Sequence, residues 1–122
     1  MKLPLYSEKL RKPNLKQLPV TVRTVQGHSM IPVLPPGTVV WGLTWFMTLV
    51  PGDVVIFDHE GKEKIKRIAE IIDEKAYLLG DFEEESTDSR HFGWIPITNI
   101  KARIIHPKAQ LERAENHRRS DD

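Results

Sequence analysis

Apolar and polar residues alternate along much of this chain with a period of two, the pattern of strands that bury one face. Over residues 19–26, Val20, Val22 and Thr24 fall on one face and Thr21, Arg23 and Val25 on the other. The high β-branched content of that run predicts a first strand. Residues 38–41 read as a second strand, and 53–57 (Asp-Val-Val-Ile-Phe) as a buried one. Residues 62–72 alternate over a longer run, with Ile65, Arg67, Ala69 and Ile71 opposing Lys64, Lys66, Ile68 and Glu70. A helix over 62–72 competes locally, because Lys, Glu, Ile and Ala all tolerate one. The flanking turns and strands favour β. Residues 76–79 and 94–105 complete the set, the latter with Ile100, Ala102 and Ile104 alternating against Lys101, Arg103 and Ile105.

Turn signals separate these runs. They are Pro35-Pro36-Gly37, Pro51-Gly52, His59-Glu60-Gly61 and Asp73-Glu74. Residues 80–92 form an acidic, polar loop containing Glu83-Glu84-Glu85 and Ser86-Thr87-Asp88-Ser89-Arg90. Residues 1–18 are basic and marked by Pro4 and Pro13, which predicts a flexible arm with at most a short helical turn over 7–12. Residues 107–122 are charged and lack an apolar face, which predicts a frayed tail. One domain over 19–106 remains, mostly β with little helix, built as a coiled antiparallel sheet and barrel-like in shape.

Composition narrows the function classes. The chain has 122 residues, 39% hydrophobic and 29% charged, with a net charge of +1. These values fit a single globular domain and give no reason to expect nucleic acid as the partner. There is no cysteine, so thiol nucleophiles and thiolate metal sites are excluded. The histidines (28, 59, 91, 106 and 117) are far apart and lack the paired spacing of a metal site, so no metal or other cofactor is expected. The N-terminus has no apolar core of the length that a secretory signal needs, and the apolar-rich run 39–50 is too short to span a bilayer. The expectation is a soluble, cytoplasmic protein.

The candidate chemistry lies at Gly27-His28-Ser29-Met30-Ile31-Pro32, between the first strand and a proline-stiffened bend. A serine just past a glycine at a strand end is a plausible nucleophile mount, and the bend turns its amide and hydroxyl toward one point. By itself the segment is weak evidence, because Gly-x-Ser is common and a turn serine bonded to its own backbone is the better reading of it alone.

Two further segments change this picture. One is Pro51-Gly52-Asp53-Val54-Val55-Ile56-Phe57, continuing to Ile65-Lys66-Arg67-Ile68. The other is Gly80-Asp81 with Ser86-Thr87-Asp88-Ser89-Arg90-His91-Phe92-Gly93-Trp94-Ile95-Pro96. Together with Ser29-Met30-Ile31-Pro32, in this order and at this spacing, they resemble the type I signal peptidase family over about residues 20–105. The resemblance implies a serine endopeptidase with Ser29 as nucleophile and Lys66 as general base. A serine hydroxyl needs a base, and a lysine serves as one only when neutral, so burial must bring its pKa down from ~10.4 by several units. Lys64, on the same strand face, is the rival base; the family's lysine directly before an arginine selects Lys66.

The family's oxyanion donors would be the Ser29 amide and a group at position 27. With Gly27 only backbone can serve there, and added bulk is expected to hurt. Ser86, Asp88 and Arg90 match supporting positions. Ser86 would bond toward the lysine ammonium, while Asp88 and Arg90 pair to hold the loop. Substrate-binding residues are not legible. The chain departs from the family's usual residues at Phe82, Val33 and Ala102, which bears on loop geometry and subsite shape.

Without a membrane anchor the chain looks like the compact branch of the family, which includes maturation proteases for nickel-type superoxide dismutase. The partner expected from that resemblance is a precursor protein carrying a leader or pro-segment. Trp45, Phe46 and Met47 are either core filler or an exposed apolar edge that touches a membrane. In the second case, with Lys9, Arg11 and Lys12 nearby, a peripheral membrane signal peptidase is the better reading. The related SOS-repressor-type autoproteases require an internal Ala-Gly or Cys-Gly site, and this chain has neither. A non-catalytic binding module on the same fold is the remaining alternative.

Overall fold

The computed structural model describes residues 19–45 and 48–107. The expected arm, the expected tail beyond Pro107, and Phe46 and Met47 lie outside the described residues. The strands are β1 (Val20–Thr24), β2 (Val39–Leu43), β3 (Val54–His59), β4 (Lys62–Ile72), β5 (Lys75–Leu79), β6 (Ile95–Pro96) and β7 (Ile100–His106). They form one antiparallel sheet in the order β1-β2-β7-β3-β4-β5-β6. Helix among the described residues is limited to α1 (Ser89–Phe92) and 3-10 turns at Glu83–Glu85 and Ile97–Asn99. The mostly β, antiparallel expectation holds. The sheet is open, however, and not a closed barrel: β1 and β6 are its two ends, and the two-residue β6 is too short to close it.

Local sequence explains most of the hairpins. The β3–β4 link is Glu60 (φ 50°) and Gly61 (φ 77°), and the β4–β5 link is Asp73 (φ 52°) and Glu74 (φ 64°). Two-residue turns with both φ positive match the twist of antiparallel strands. Residues 62–72 are strand throughout, as the flanking turns indicated, but the alternation breaks. The β4–β5 register shifts between Ile68 and Glu70, so Ile68 and Ile71 pack against the same apolar cluster and Ala69 is exposed. A bulge of this kind reverses the parity of every later side chain.

The run 94–105 is not one strand. Pro96 ends β6, a 3-10 turn follows, and β7 begins at Ile100. Proline cannot donate to a ladder. The break carries the chain from the β5 edge to the centre of the sheet, where β7 pairs with β2 and β3.

Both faces of β3 are buried: Val54, Val55, Ile56 and Phe57 are all 0% exposed. Val55 and Phe57 join one apolar cluster with Ile68, Leu78 and Ile100, while Val54 and Ile56 join a second with Met30, Leu34 and Ile104. Burying a side chain of this size is worth about 1.5–3 kcal/mol. Ala102 fits because its neighbour has no side chain: a Cβ on Gly42 would stand 2.8 Å from that of Ala102.

Candidate active site

The segment after β1 is pinned at both ends. Val25 donates to the Thr38 carbonyl (2.8 Å) and Gly37 to that of Val25 (2.9 Å). Met30 and Leu34 are buried in the second cluster, and Leu34 donates to the Met30 carbonyl at 2.7 Å. Ser29 is left half-buried, its own carbonyl accepting a 2.8 Å hydrogen bond from the Phe82 amide.

Opposite it stands β4. Residues 62–66 pair with β3 alone, because pairing to β5 begins at Arg67. The Ser29 segment occupies the place beside that free stretch. Lys66, across from Val55 in the ladder, is 7% exposed, and its Nζ donates to Ser29 Oγ at 2.7 Å. Burial pushes the Lys66 pKa down and the positive charge of Lys64 adds to this, while Asp88 opposes both; the outcome is about 8. The hydroxyl thus meets an amine that sheds its proton near neutral pH. Lys64, the rival base, instead places its Nζ over the Phe92 ring, 5.4 Å from the centroid.

Gly27 adopts φ 77°. A Cβ there would meet nothing of the protein within 4 Å, so within the fold the position needs glycine for its backbone angle, and added bulk would project into open space beside the cleft. Among the described residues neither the Gly27 nor the Ser29 amide donates a hydrogen bond.

Asp88 is 0% exposed and organises the 80s loop. Its carboxylate accepts from the Gly80 amide (2.8 Å), the Ser86 hydroxyl (2.7 Å), the Arg90 amide (3.1 Å) and the Arg90 guanidinium (2.6 and 3.0 Å). Burial works to raise its pKa, but the Arg90 hydrogen bonds, the Gly80 amide and Ser86 outweigh it and hold the carboxyl well below the usual range. The expected Asp88–Arg90 pair is present. The expected bond from Ser86 to the lysine is not: the Ser86 hydroxyl donates instead to the Asp88 carboxylate two residues away, at 2.7 Å.

Sequence reasoning missed four supports. Arg67 forms a buried bidentate pair with Asp81 (2.8 and 2.9 Å) and donates to the Gly52 carbonyl (2.7 Å), tying β4 to two loops. Ser89 Oγ accepts from the Leu78 amide at 2.9 Å. His91 Nδ1 accepts from the Asp88 amide, closing a capping box at α1 whose Asp-x-x-His spacing was a usable signal. Gly80 was legible only as part of the Gly80-Asp81 segment, not as a close-packed position. A Cβ there would stand 2.2 Å from Ser86 Oγ and 2.8 Å from the Ser29 carbonyl oxygen.

The pair opens into a cleft of about 780 Å³, walled by residues 22–30 on one side and 63–66 on the other, with Glu85 and Thr87 at its margin. Arg23 and Glu63 join the two walls through two hydrogen bonds (2.5 and 3.1 Å). Among the described residues there is no group of three or more His, Asp or Glu able to hold a metal, and no helix long and apolar enough to cross a membrane. Trp45 is half-buried. Comparison with protein-family models and with curated proteins found no match.

Proposed function

We propose that this protein is a serine endopeptidase of the type I signal peptidase kind, with Ser29 as nucleophile and Lys66 as general base. The observation that carries this reading is the 2.7 Å contact between a hydroxyl in an open cleft and a buried amine. Neutral Lys66 takes the proton as Ser29 Oγ attacks the peptide carbonyl carbon. The oxyanion so formed lies toward the unpaired Ser29 and Gly27 amides. The lysine then delivers its proton to the departing amine, and the C–N bond breaks to leave an acyl-enzyme. Water attacks that ester, Lys66 takes a proton from it, and the serine leaves reprotonated with the new carboxylate released.

The substrate we propose is a precursor protein with an N-terminal leader or pro-segment, with a nickel-type superoxide dismutase precursor the first to try. Incubation of candidate precursors with the protein and with Ser29→Ala, followed by N-terminal sequencing of the products, tests this. A single new N-terminus that Ser29→Ala does not produce supports it. Binding of a precursor without cleavage, at any pH up to 9, would leave a binding module.

A second reading, a peptidase acting at a membrane surface, is favoured by the exposure of Val22 (43%), Val39 (50%) and Trp41 (45%) on β1 and β2. Val22 and Trp41 are directly paired, and Val22 also lines the cleft. Co-sedimentation with anionic vesicles, lost in Trp41→Ser, distinguishes the two.

A further inference from the structure

Lys64 is left without a role by the base assignment, yet it is held in a specific place. It shares a face of β4 with Lys66, two residues away and so about 7 Å along the strand. Both line the cleft. Its partner across the ladder is Phe57, and its ammonium lies over the ring of Phe92, 5.4 Å from the centroid. That distance is within the range of a cation–π contact. Phe92 is itself fixed from below, stacked on His59 with centroids 4.1 Å apart and tilted against Phe57 at 6.5 Å. It is also the last residue of α1, the helix that Asp88 caps.

We propose that Lys64, seated on the Phe92–His59 stack, is a positioning residue that keeps the Lys66 amine in its neutral, proton-accepting form. A second cation near a lysine disfavours the ammonium of the first, and this is one of the ways a lysine is activated as base or nucleophile. The aromatic seat gives Lys64 a favourable place for its charge, so it need not swing away from Lys66 into water. The charged groups that act on Lys66 are Lys64 from its own strand and Asp88 from the 80s loop, and their effects oppose. Of the other polar side chains lining the cleft, Arg23 and Glu63 pair with each other, and His28 and Glu85 complete the set. The seat and Asp88 belong to one structural unit, so the same loop that brings a carboxylate near Lys66 also brings the means to offset it.

This inference rests on Lys66 being the base, and its test separates the two. The ¹³C resonance of the Lys66 ε-carbon is followed against pH in the full chain, alongside the pH dependence of cleavage. In Lys64→Met the midpoint should move upward by about half a unit or more, while Lys64→Arg stays near the original. Phe92→Leu, which removes the seat and keeps Lys64, should move it in the same direction by less. His59→Phe keeps an aromatic ring in the stack and should leave the midpoint in place. In cleavage assays, Lys64→Met should shift the acid limb to higher pH and preserve kcat on the alkaline plateau; a merely structural role would lower the plateau and leave the limb. An unmoved Lys66 midpoint in Lys64→Met overturns the inference even if the protein is a peptidase. A shifted midpoint in a protein that cleaves nothing upholds it and removes the peptidase reading instead.

Discussion

The carbonyl of Ser29 is held by the amide of Phe82 at 2.8 Å, so the segment bearing the hydroxyl is fastened to the 80s loop through the backbone. Gly80 lies at this junction, against Ser29 and Ser86. Gly80→Ala forces backbone and Ser86 apart, and overpacking of this kind costs about 1–3 kcal/mol. Gly27→Ala has open space and pays only for its positive φ, about 1–2 kcal/mol. We expect Gly80→Ala to lose more activity than Gly27→Ala for a similar loss of stability, measured by kcat/KM and thermal melting. Equal losses of activity would show that the junction does not place the nucleophile.

Ser29→Ala and Lys66→Met should each lower kcat by about 10³-fold or more while leaving the far-ultraviolet circular dichroism unchanged. Substantial activity in Lys66→Met would move the base elsewhere, with Lys64 the first candidate.

Cleavage should follow the neutral fraction of Lys66. With a pKa of about 8, kcat/KM should rise about tenfold per pH unit below 8 and level off above it. A profile flat from pH 5 to 8 would contradict a lysine base.

The same burial has a thermodynamic sign. Below pH 8 both folded and unfolded chains hold the Lys66 proton, and the folded state bears the full cost of the buried charge. Between about 8 and the ordinary 10.5 the unfolded chain binds more protons, so this residue's contribution to stability climbs with pH. Lys66→Met should therefore stabilise the fold at pH 7 by about 1–3 kcal/mol in urea titrations, an advantage that shrinks toward pH 10. A variant less stable than the parent at pH 7 would mean that the charge is better solvated than its 7% exposure indicates.

Asp88→Ala strips acceptors from the Gly80 amide, Ser86 and Arg90 together. A buried donor left unpaired costs about 1–3 kcal/mol, and the loss of the partly exposed Arg90 pair adds to that. Because Asp88 also raises the Lys66 pKa, the residual activity should show its acid limb at lower pH. Melting and a pH–rate profile on the same protein check both. Because its folded pKa is depressed, Asp88 gives its stability in full above the ordinary carboxylate value, and loses it progressively as pH falls from there through the folded one.

Much of this protein was written locally. The period-two alternation over 19–26 and 62–72 and the apolar run 53–57 marked strands, and Glu60-Gly61 and Asp73-Glu74 set the hairpins, because side-chain parity and backbone torsion are properties of neighbouring residues. The serine, the lysine and the Asp88–Arg90 pair were legible as residue types in recognisable segments. What no window of sequence contains is the approach of residues 37 apart that puts Lys66 Nζ on Ser29 Oγ. Nor does it contain the Arg67–Asp81 tie, the closeness of Gly80 to both Ser29 and Ser86, or the bulge at Ala69 that shifts parity within β4. Whether Lys64 or Lys66 faces the hydroxyl was decided the same way. The two lysines have the same chemistry and share a strand face. The resemblance singled out Lys66 by the arginine after it, but what faces each lysine depends on contacts between segments distant in the chain.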